Sequence, residues 1–433
     1  MTDSPAAVRV PALSASAQMG GTERVLLDFA RHAFEYGIDL RVLAPRAGPL
    51  VTALNAMGVR AEVVAAPDSL LRGSQRPGHI GTLPGALLGL RRWARDLRAH
   101  PFVRDTDLLY SVGFKTHLAA AWIGGRPTVW HLHELPPAGR ATGWRLAARF
   151  LPDALIANSD AAAARWRARG ITVPAKEGAP PGARRRLRRS GVFITVIRNG
   201  VELDRFKPRE RSFWIHDQLG LPRECRLIGM PAVFARWKGQ IEVMRAFGEL
   251  NGGFQNVHLV LVGGSIYDTV AEREYGRTLR EAIGGGRDDG EKGEGKRDKG
   301  KERHRMHLLP FQQNIELVYP EFDVVVHYSI RPEPFGRVIL EAMACGVPVI
   351  AAAEGGPLEI LGERDLTPHA GWLVEPRRPH ILARTLRAAL RQPRESLRAM
   401  GAAGRRKAED QFGSRAFAER VAAVLKRVAK VEK

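Results

Sequence analysis

RPEPFGRVILEAMACGVPVIAAAEGG, residues 331–356, places two carboxylates, Glu333 and Glu341, among apolar residues. The apolar run DVVVHYS that precedes it is typical of a buried strand. Because prolines flank Glu333, this residue is kept out of helical geometry and lies on the loop after that strand. The helix is predicted to begin near Phe335 and Gly336, with Glu341 in its second turn. This order predicts an α/β domain with a ligand-binding loop at the carboxyl end of a strand.

The predicted helix start suits a phosphate group. The first backbone N–H groups of a helix have no partner within the helix and carry partial positive charge. Glu333 precedes this helix start and Glu341 follows it, and a carboxylate can accept hydrogen bonds from two vicinal hydroxyls. A ligand with a diphosphate between two polyols satisfies all three groups. The spacing therefore favours a sugar nucleotide.

Strands alternate with amphipathic helices twice along the chain. At 433 residues the chain exceeds the usual size of one hydrophobic core, so two domains are expected. A segment rich in proline and charged residues near 207–211 separates the two sets. We therefore predict domains over residues 1–210 and 211–413, with a C-terminal helix at about 414–433 that packs back on the first. The alternation predicts a doubly wound parallel sheet in each domain and a cleft between them.

The sequence shows no signal for a membrane or an oxidising compartment. No run approaches the ~18 apolar residues of a membrane span. The first residues, MTDSPAAVRVPALSAS, lack the basic-then-apolar order of a signal peptide. Cys225 and Cys345 are far apart and lie among apolar residues, which indicates buried thiols rather than a disulfide framework or a metal site. We therefore expect a cytoplasmic protein.

Net charge is the unusual global feature, at +21 from 67 Lys and Arg against 46 Asp and Glu. Residues 1–210 contain 31 basic and 17 acidic residues, so most of the excess lies in the first half. Such a charge attracts anionic partners but does not define a fold. Nucleic acid, anionic lipid and phosphorylated small molecules are all compatible with it.

Two segments are predicted to lie outside the folded domains. Residues 284–305, GGGRDDGEKGEGKRDKGKERHR, have no apolar residue to bury, which predicts a disordered surface insertion. Residues 183–189, ARRRLRR, carry charge of one sign. They fit either a contact with an anion or a solvated loop.

A cationic segment, ARWKGQ at residues 235–240, lies between the predicted strand CRLIGMPAVF and the next helix. Arg236 and Lys238 can neutralise a leaving diphosphate from this position, which would make a metal ion unnecessary. A solvated loop is the alternative for these two residues taken alone. Their position in register with the Glu333 loop favours the diphosphate.

Taken in order, these motifs resemble a known family. EPFGRVILE is an E-x7-E motif with ACGVPVIA and GGPLE after it, ARWKG before it, GGTERV near the start and RNGVELDRFKP at mid-chain. This combination is similar to the retaining family 4 glycosyltransferases of the GT-B fold, and the similarity extends over nearly the whole chain. It implies two Rossmann-like doubly wound domains that face each other across a cleft. The second domain would hold the nucleotide-sugar donor and the first the acceptor.

The resemblance implies roles for the charged residues singled out above. Arg236 and Lys238 would grip the donor diphosphate as catalytic residues. Glu333 would bind the hydroxyls of the transferred sugar, and Glu341 the ribose of the nucleoside.

Backbone and histidine contacts complete the implied site. Four successive residues would add backbone contacts to phosphate: Phe335, Gly336, Arg337 and Val338. Gly20 and Gly21 would approach the phosphates and the acceptor from the opposite wall, where the lack of side chains allows close approach. In PTVWHLHEL, His133 matches the histidine that contacts the donor sugar near the reacting carbon in this family, and His131 packs behind it.

The implied mechanism needs neither a metal nor a cofactor. A double displacement would need a carboxylate nucleophile against the anomeric carbon, and the resemblance supplies none. Departure and attack on the same face of the sugar are therefore expected, with the leaving phosphate accepting the proton of the acceptor. The Asp-Thr-Asp at 105–107 matches a metal-binding motif of the other glycosyltransferase fold. Asp107, however, directly precedes a predicted strand, which argues against that role.

Three classes of function stay open. The leading one is sugar transfer from a UDP- or GDP-linked donor to a glycan, glycolipid or lipid-linked acceptor, as in polysaccharide biosynthesis. A sugar-nucleotide epimerase or hydrolase on the same fold would share the diphosphate site and turn over without an acceptor. A nucleic-acid-binding protein is suggested by charge alone. Because the sequence lacks a zinc spacing and an RNA-binding signature, we expect no nucleic-acid partner.

The basic first domain has two interpretations. In LLGLRRWARDLRAH, residues 87–100, four apolar residues recur at helical spacing beside arginines: Leu90, Trp93, Ala94 and Leu97. GWRLAARF and RWRARG repeat the mixture of tryptophan and arginine. In the first interpretation, the apolar side chains pack on the sheet and the arginines are solvated. In the second, a basic face that bears tryptophan rests on anionic lipid, which would place the protein peripherally on the inner face of the cytoplasmic membrane.

Overall fold

The computed structural model describes residues 7–67, 70, 83–137, 140–167, 171–172, 192–250, 253–284, 304–362 and 370–430. Segment 183–189 and residues 285–303 of the predicted insertion lie outside these ranges.

The chain divides into two compact units. Unit 1 consists of Met1–Gly200 and Ser414–Lys433, and unit 2 of Val201–Gly413. Residues 201–210, which the sequence assigned to the first domain, belong to unit 2, because Val201 and Phe206 are buried in its core.

Unit 1 contains an eight-stranded parallel sheet in the order β3-β2-β1-β4-β5-β6-β8-β7. Its strands are β1 (Val8–Ser14), β2 (Ile38–Ala44), β3 (Ala61–Val63), β4 (Leu109–Val112), β5 (Thr128–Leu132), β6 (Ala154–Ala157), β7 (Ile171–Thr172) and β8 (Val192–Val196). Helices cover both faces, so most of the longer strands are buried apolar runs, as parallel sheets require. The strand order reverses between β1 and β4, and ligands bind at such a switch point.

The described helices of unit 1 are α1 (Gly21–Ala33), α2 (Pro49–Ala56), α3 (Leu83–Ala99), α4 (Pro101–Arg104), α5 (Phe114–Ile123), α6 (Ala141–Phe150) and α7 (Asp160–Trp166). On one side of the sheet, α1 buries Val25, Leu26 and Phe29 in the largest core cluster of the unit. On the other side, α3 and α5 share a second core cluster with strand residues Leu13 and Leu109.

Unit 2 contains a six-stranded parallel sheet in the order β11-β10-β9-β12-β13-β14. Its strands are β9 (Arg226–Pro231), β10 (Val257–Gly263), β11 (Met306–Pro310), β12 (Val324–His327), β13 (Val349–Ala352) and β14 (Gly371–Val374). Its described α-helices are α8 (Trp214–Leu219), α9 (Gln240–Gly248), α10 (Val270–Gly284), α11 (Arg337–Ala344), α12 (Gly356–Leu361), α13 (Pro379–Arg391) and α14 (Arg394–Gln411). The order reverses between β9 and β12, which are neighbours. The prediction of two doubly wound α/β domains is confirmed.

The last helix, α15 (Ser414–Lys430), returns to unit 1. It packs against α1 and buries Phe417, Val421 and Leu425 in the same core cluster. Just before it, the Val201 N–H donates to the carbonyl oxygen of Phe412 over 2.8 Å. The two ends of unit 2 therefore lie side by side.

Both cysteines are buried free thiols. Among the described residues, no helix has the length and apolar character that a membrane crossing needs.

Candidate active site

The switch point of the unit 2 sheet brings together two of the predicted segments. A short 3₁₀ turn, Arg236–Lys238, follows β9, and the loop that carries Glu333 follows β12. Because β9 and β12 pair in parallel, their carboxyl ends lie at the same edge of the sheet. This is the position at which open α/β sheets bind ligands.

The two loops are joined through their backbones. The N–H of Ile330 donates to the carbonyl oxygen of Trp237 over 2.8 Å. Gly239 has φ +80°, and a Cβ at this position would lie 2.1 Å from the carbonyl oxygen of Tyr328. Only glycine fits there, which explains the glycine in ARWKGQ. The spacing between the cationic turn and the acidic loop is therefore fixed by the fold.

Glu333 is held by one of its two carboxylate oxygens. Oε2 accepts hydrogen bonds from Lys238 Nζ (2.8 Å) and Ser329 Oγ (2.7 Å), and His327 Nε2 lies 3.4 Å away. Oε1 has no hydrogen-bond partner among the residues that the structure describes. The residue is 8% exposed. The arrangement thus orients the carboxylate and leaves one oxygen for a ligand.

The charge of Glu333 is stabilised despite its burial. Burial alone would raise the pKa of this carboxyl group, but the charge of Lys238 and the hydrogen bond from His327 hold the pKa well below its usual value. Glu333 is therefore ionised and acts as a hydrogen-bond acceptor.

The GGPLE segment supports the backbone of Glu333. Gly355 pairs with Glu333 in a parallel bridge, and the Gly356 N–H donates to the Glu333 carbonyl oxygen over 2.9 Å. Gly355 has φ +83°, and a Cβ there would lie 2.2 Å from that oxygen. The two glycines permit this close approach, so the segment positions the acidic loop.

Helix α11 begins directly after that loop. Its N-cap, Gly336, has φ +107° and no side chain to cap the helix. The side chain of Phe335 is buried in the core, so this residue offers only backbone groups to a ligand. The predicted phosphate contacts from Phe335, Gly336, Arg337 and Val338 therefore stay predictions that rest on backbone amides at a helix N-terminus.

Glu341 has both carboxylate oxygens engaged. Tyr319 donates its hydroxyl to Oε2 over 2.7 Å, and Arg337 Nε donates to Oε1 over 2.8 Å. The residue is 4% exposed. A ribose bound here would share the carboxylate with these two donors, which distinguishes Glu341 from Glu333.

Arg236 is partly restrained and largely exposed. Its Nη1 lies 2.8 Å from Oε1 and 3.1 Å from Oε2 of Glu242, which is on α9. Its side chain is 56% exposed, whereas that of Lys238 is 15% exposed. Lys238 is also 4.0 Å from the centre of the Trp237 ring. Glu242 and the stacked ring thus hold two cations at the site edge.

In unit 1, the predicted glycine turn follows β1 at the switch point of that sheet. The Gly20 N–H donates to Glu23 Oε2 over 3.1 Å, which caps α1. A Cβ added at Gly21 would meet no atom within 4 Å. The fold of unit 1 therefore does not require glycine at position 21, and the contacts predicted for Gly20 and Gly21 with the phosphates and the acceptor stay predictions.

The two histidines lie at the carboxyl end of β5. His131 is fully buried, and its Nδ1 forms a hydrogen bond with the Tyr110 hydroxyl. Burial holds the pKa of His131 well below its usual value, so the ring is neutral. The ring centres of His131 and His133 lie 3.9 Å apart. This agrees with His131 as the packing residue, and His133, 8% exposed, stays the predicted sugar contact.

The Asp-Thr-Asp motif lies at the amino end of β4, away from the carboxyl ends that bind ligands. The backbone N–H of Arg9 donates to Asp107 Oδ2 over 2.9 Å, and the Arg9 guanidinium pairs with Asp105. The motif therefore joins two strands. Within the described part of the chain, no group of three or more His, Cys, Asp or Glu side chains could hold a metal ion.

Sequence reasoning missed three residues of the site: Ser329, His327 and Tyr319. His327 and Ser329 were visible as polar residues at positions i and i+2 at the end of an apolar strand, which places both on one side of it. Tyr319 lies 22 positions before its partner Glu341. No local pattern links the two.

Two family models match the chain. Residues 213–407 match the model described as glycosyl transferases group 1, and residues 19–176 match glycosyltransferase family 4. Each match falls within one of the two units.

Named relatives support the same family. A D-inositol 3-phosphate glycosyltransferase from Corynebacterium jeikeium (strain K411) is 32% identical over 179 residues, which is 39% of this chain. The chain spans 38% of the length of that relative. D-inositol 3-phosphate glycosyltransferase 1 from Catenulispora acidiphila is 26% identical over 393 residues, covering 86% of this chain and 83% of the relative.

Solved structures share the fold. Anabaena Alr3699/HepE, crystallised with UDP and glucose, superposes with a TM-score of 0.70 at 23% identity, over 97% of this chain and 99% of that one. The α,α-trehalose 6-phosphate synthase of Burkholderia multivorans superposes with a TM-score of 0.73 at 16% identity, over 98% and 100%.

Proposed function

The chain belongs to the family 4 glycosyltransferases, the glycosyl transferases group 1, and we propose that it moves a sugar from a nucleotide-sugar donor to a glycan, glycolipid or lipid-linked acceptor. Transfer retains the configuration at the anomeric carbon and needs no metal ion. The matches to family models, relatives and solved structures do not favour a sugar-nucleotide epimerase or hydrolase. They do not favour a nucleic-acid-binding protein either.

The observation that carries the proposal is the geometry around Glu333. Three side chains converge on one oxygen of a buried, ionised carboxylate, and its other oxygen has no described partner. An acceptor atom held in this way suits a sugar hydroxyl. The N-terminus of α11 and the cations of the Arg236–Lys238 turn lie on either side of it in the chain and suit the adjoining diphosphate.

The proposed mechanism is transfer on one face of the sugar. The bond from the anomeric carbon to the diphosphate oxygen breaks as the bond to the acceptor oxygen forms, and the acceptor proton passes to the leaving phosphate. Lys238, Arg236 and the α11 amides stabilise the charge that develops on the diphosphate. Glu333 and His133 position the sugar.

A UDP-linked donor is the first candidate. Alr3699/HepE has been crystallised with UDP-glucose, and a sugar nucleotide of this kind satisfies the arrangement around Glu333. GDP-linked sugars fit the same chemistry. The glycosyltransferase relatives named for D-inositol 3-phosphate add a phosphorylated polyol as a soluble acceptor class to be tested beside the lipid-linked one.

Charge supports a peripheral association of unit 1 with the inner face of the cytoplasmic membrane. Unit 1 contains 34 Lys and Arg against 16 Asp and Glu, whereas unit 2 contains 33 against 30. The acceptor side of the proposed enzyme thus carries almost the whole positive excess. An anionic surface would bring a lipid-linked acceptor to it.

The donor is tested by thermal shift with UDP, GDP, ADP and their sugar conjugates, since a ligand that binds only the folded protein raises its stability by RT ln(1 + [L]/Kd). With the donor in hand, Glu333→Ala, Lys238→Ala and Arg236→Ala are each expected to lose at least ~2 kcal/mol of transition-state stabilisation, about 30-fold in kcat/KM. Near-normal turnover in the Glu333 and Lys238 variants would refute the site.

A further inference from the structure

Helices α3 and α5 of unit 1 form the sides of an open groove of about 1070 Å³. Ligand pockets usually measure about 300–1,000 Å³, so this groove can take a large molecule. Its lining combines apolar and cationic side chains: Leu87, Leu88, Ala94, Trp122, Arg91, Arg92, Arg95 and Arg98. None of these residues belongs to the proposed transfer site.

The large apolar side chains that line the groove are exposed and are not part of the core of unit 1. Leu87, Leu88 and Trp122 are 56%, 67% and 42% exposed. The residues of α3 that pack on the sheet are others, including Trp93, which is 1% exposed and donates its indole N–H to Val64. The predicted tryptophan-bearing face is therefore wrong for Trp93, which is in the core. Leu87 and Leu88 lie about one and a half turns earlier on the same helix, and Trp122 is on α5.

The cationic part continues along α3 from the exposed leucines. Arg91, Arg95 and Arg98 follow Leu87 at helical spacing, and the row measures about 16 Å at 1.5 Å per residue. Among partners that the structure describes, only Arg95 of this row has an ion pair, with Asp96 at 3.3 Å. Arg91 and Arg98 form none with a described residue.

The apolar exposure continues beyond the groove. Phe114 of α5 packs on Trp144 of α6 with ring centres 4.5 Å apart, so α6 adjoins α5. On α6, Leu146 and Phe150 are 49% and 67% exposed, and Arg149 lies over the Phe150 ring at 5.0 Å. Exposed apolar side chains accompanied by arginine thus extend over three neighbouring helices, which is the composition of a membrane-interface surface.

We propose that the groove between α3 and α5 binds anionic membrane lipid. The arginine row receives the phosphate headgroups, and Leu87, Leu88 and Trp122 contact the acyl chains. A nucleotide or a free phosphate would leave the apolar lining unused, whereas a lipid satisfies both parts. The inference rests on the membrane association proposed above and assigns it to a defined site.

The test uses the full-length chain and sedimented vesicles of phosphatidylcholine with or without phosphatidylglycerol. Wild-type protein is expected to bind the anionic vesicles at low salt, to bind pure phosphatidylcholine far less, and to be released by added salt. Arg91→Gln combined with Arg98→Gln is expected to weaken binding about 30-fold, from two charges at about 1 kcal/mol each. Leu88→Ser is expected to weaken it as well.

Matched control variants test whether vesicle binding depends on the groove itself or only on the net charge and apolar exposure of the protein. Arg384→Gln with Arg398→Gln removes two exposed arginines from unit 2, and Phe34→Ser removes a side chain of unit 1 that is 82% exposed. Both controls should bind like wild type. Equal loss in the controls, equal binding to both vesicle types, or no vesicle binding would overturn the proposal.

Nucleotide binding distinguishes this proposal from the proposed function. Thermal shift with the nucleotide sugar is expected to be the same in wild type and in the groove variants, which also shows that the variants are folded. Vesicle binding without any nucleotide binding would refute the transferase assignment and leave the lipid groove standing. Nucleotide binding without any vesicle binding would refute the lipid groove and leave the transferase assignment intact.

Discussion

Lys238→Met isolates the ion pair at the centre of the proposed site. The substitution keeps the length and the apolar contacts of the side chain but removes the charge 2.8 Å from Glu333 Oε2. Since Glu333 is buried, it would lose its nearest counter-charge while its own charge stays out of water. Ser329 and His327 would remain as donors.

The expected loss of stability in Lys238→Met follows from this geometry. Removing one partner of a buried ion pair costs about 3–5 kcal/mol, and the two remaining donors reduce this to about 2–3 kcal/mol. A domain of 150–250 residues loses about 2–4 °C in melting temperature per kcal/mol. Unit 2, Val201–Gly413, is within that size range. We therefore expect its melting temperature to fall by about 4–12 °C.

The penalty should depend on pH in a definite direction. In the wild type, the pKa of Glu333 is lower in the folded than in the unfolded chain, so its stabilising contribution is present above about pH 5 and is lost as the pH falls through the folded value. Without Lys238, burial dominates and raises the pKa of Glu333. The carboxyl group then takes up a proton at mildly acidic pH, so the variant should be closer to wild type at pH 5 than at pH 8.

Differential scanning calorimetry of the wild type and of Lys238→Met at pH 5 and pH 8 measures the difference in melting temperature at each pH. Arg273→Met is the matched control, because its ion pair with Asp268 lies on the surface of the same unit, with both side chains more than half exposed. Exposed pairs contribute about 0–1 kcal/mol. The reasoning fails if Lys238→Met shifts the melting temperature no more than the control does, or if its shift is the same at both pH values.

Three further predictions concern the surroundings of the site. Gly355→Ala should lower both the melting temperature and kcat/KM, because its Cβ would overlap the Glu333 carbonyl oxygen, whereas Gly220→Ala, at φ +64° with open space around it, should lower neither by as much. Tyr319→Phe removes a hydrogen bond to the charged Glu341 and should raise donor KM about 10-fold, at about 1.5 kcal/mol, with little change in kcat in steady-state assays. Treatment with EDTA should leave turnover unchanged, and a loss that Mg²⁺ or Mn²⁺ restores would contradict the metal-free mechanism.

The sheets were predictable from the sequence because parallel strands are buried on both faces and read as continuous apolar runs. Three strands were not predicted, and one of them, β7, has only two residues. β11 follows the glycine-rich charged tract directly, and β14 is an edge strand with three of its four residues only partly buried. The unit boundary was displaced because proline and charge near 207–211 resemble a linker, whereas buried side chains at 201 and 206 already belong to unit 2.

In the site, the residues with a local pattern were predictable and their partners were not. The E-x7-E spacing locates Glu333 and Glu341, and ARWKG locates the cationic turn. That Lys238 contacts Glu333 follows from the pairing of β9 with β12, which joins residues 95 positions apart. On α3, helical spacing correctly grouped Leu90, Trp93, Ala94 and Leu97, which are all buried in one core cluster. The sequence left open whether this stripe packs on the sheet or faces a membrane.

The return of α15 to unit 1 affects how the chain folds during synthesis. The core of unit 1 includes Phe417, Val421 and Leu425, which the ribosome adds only after the whole of unit 2. At about 5–20 residues per second, the 380 residues between the end of α1 and the start of α15 take on the order of 20–80 s, and during this time α1 lacks its covering helix. Unit 2, in contrast, is continuous in sequence and does not include any segment that is synthesised after it. A released chain that ends before residue 414 would therefore contain nearly all of unit 2 but lack part of the core of unit 1, which makes unit 1 the natural target of chaperones and proteases.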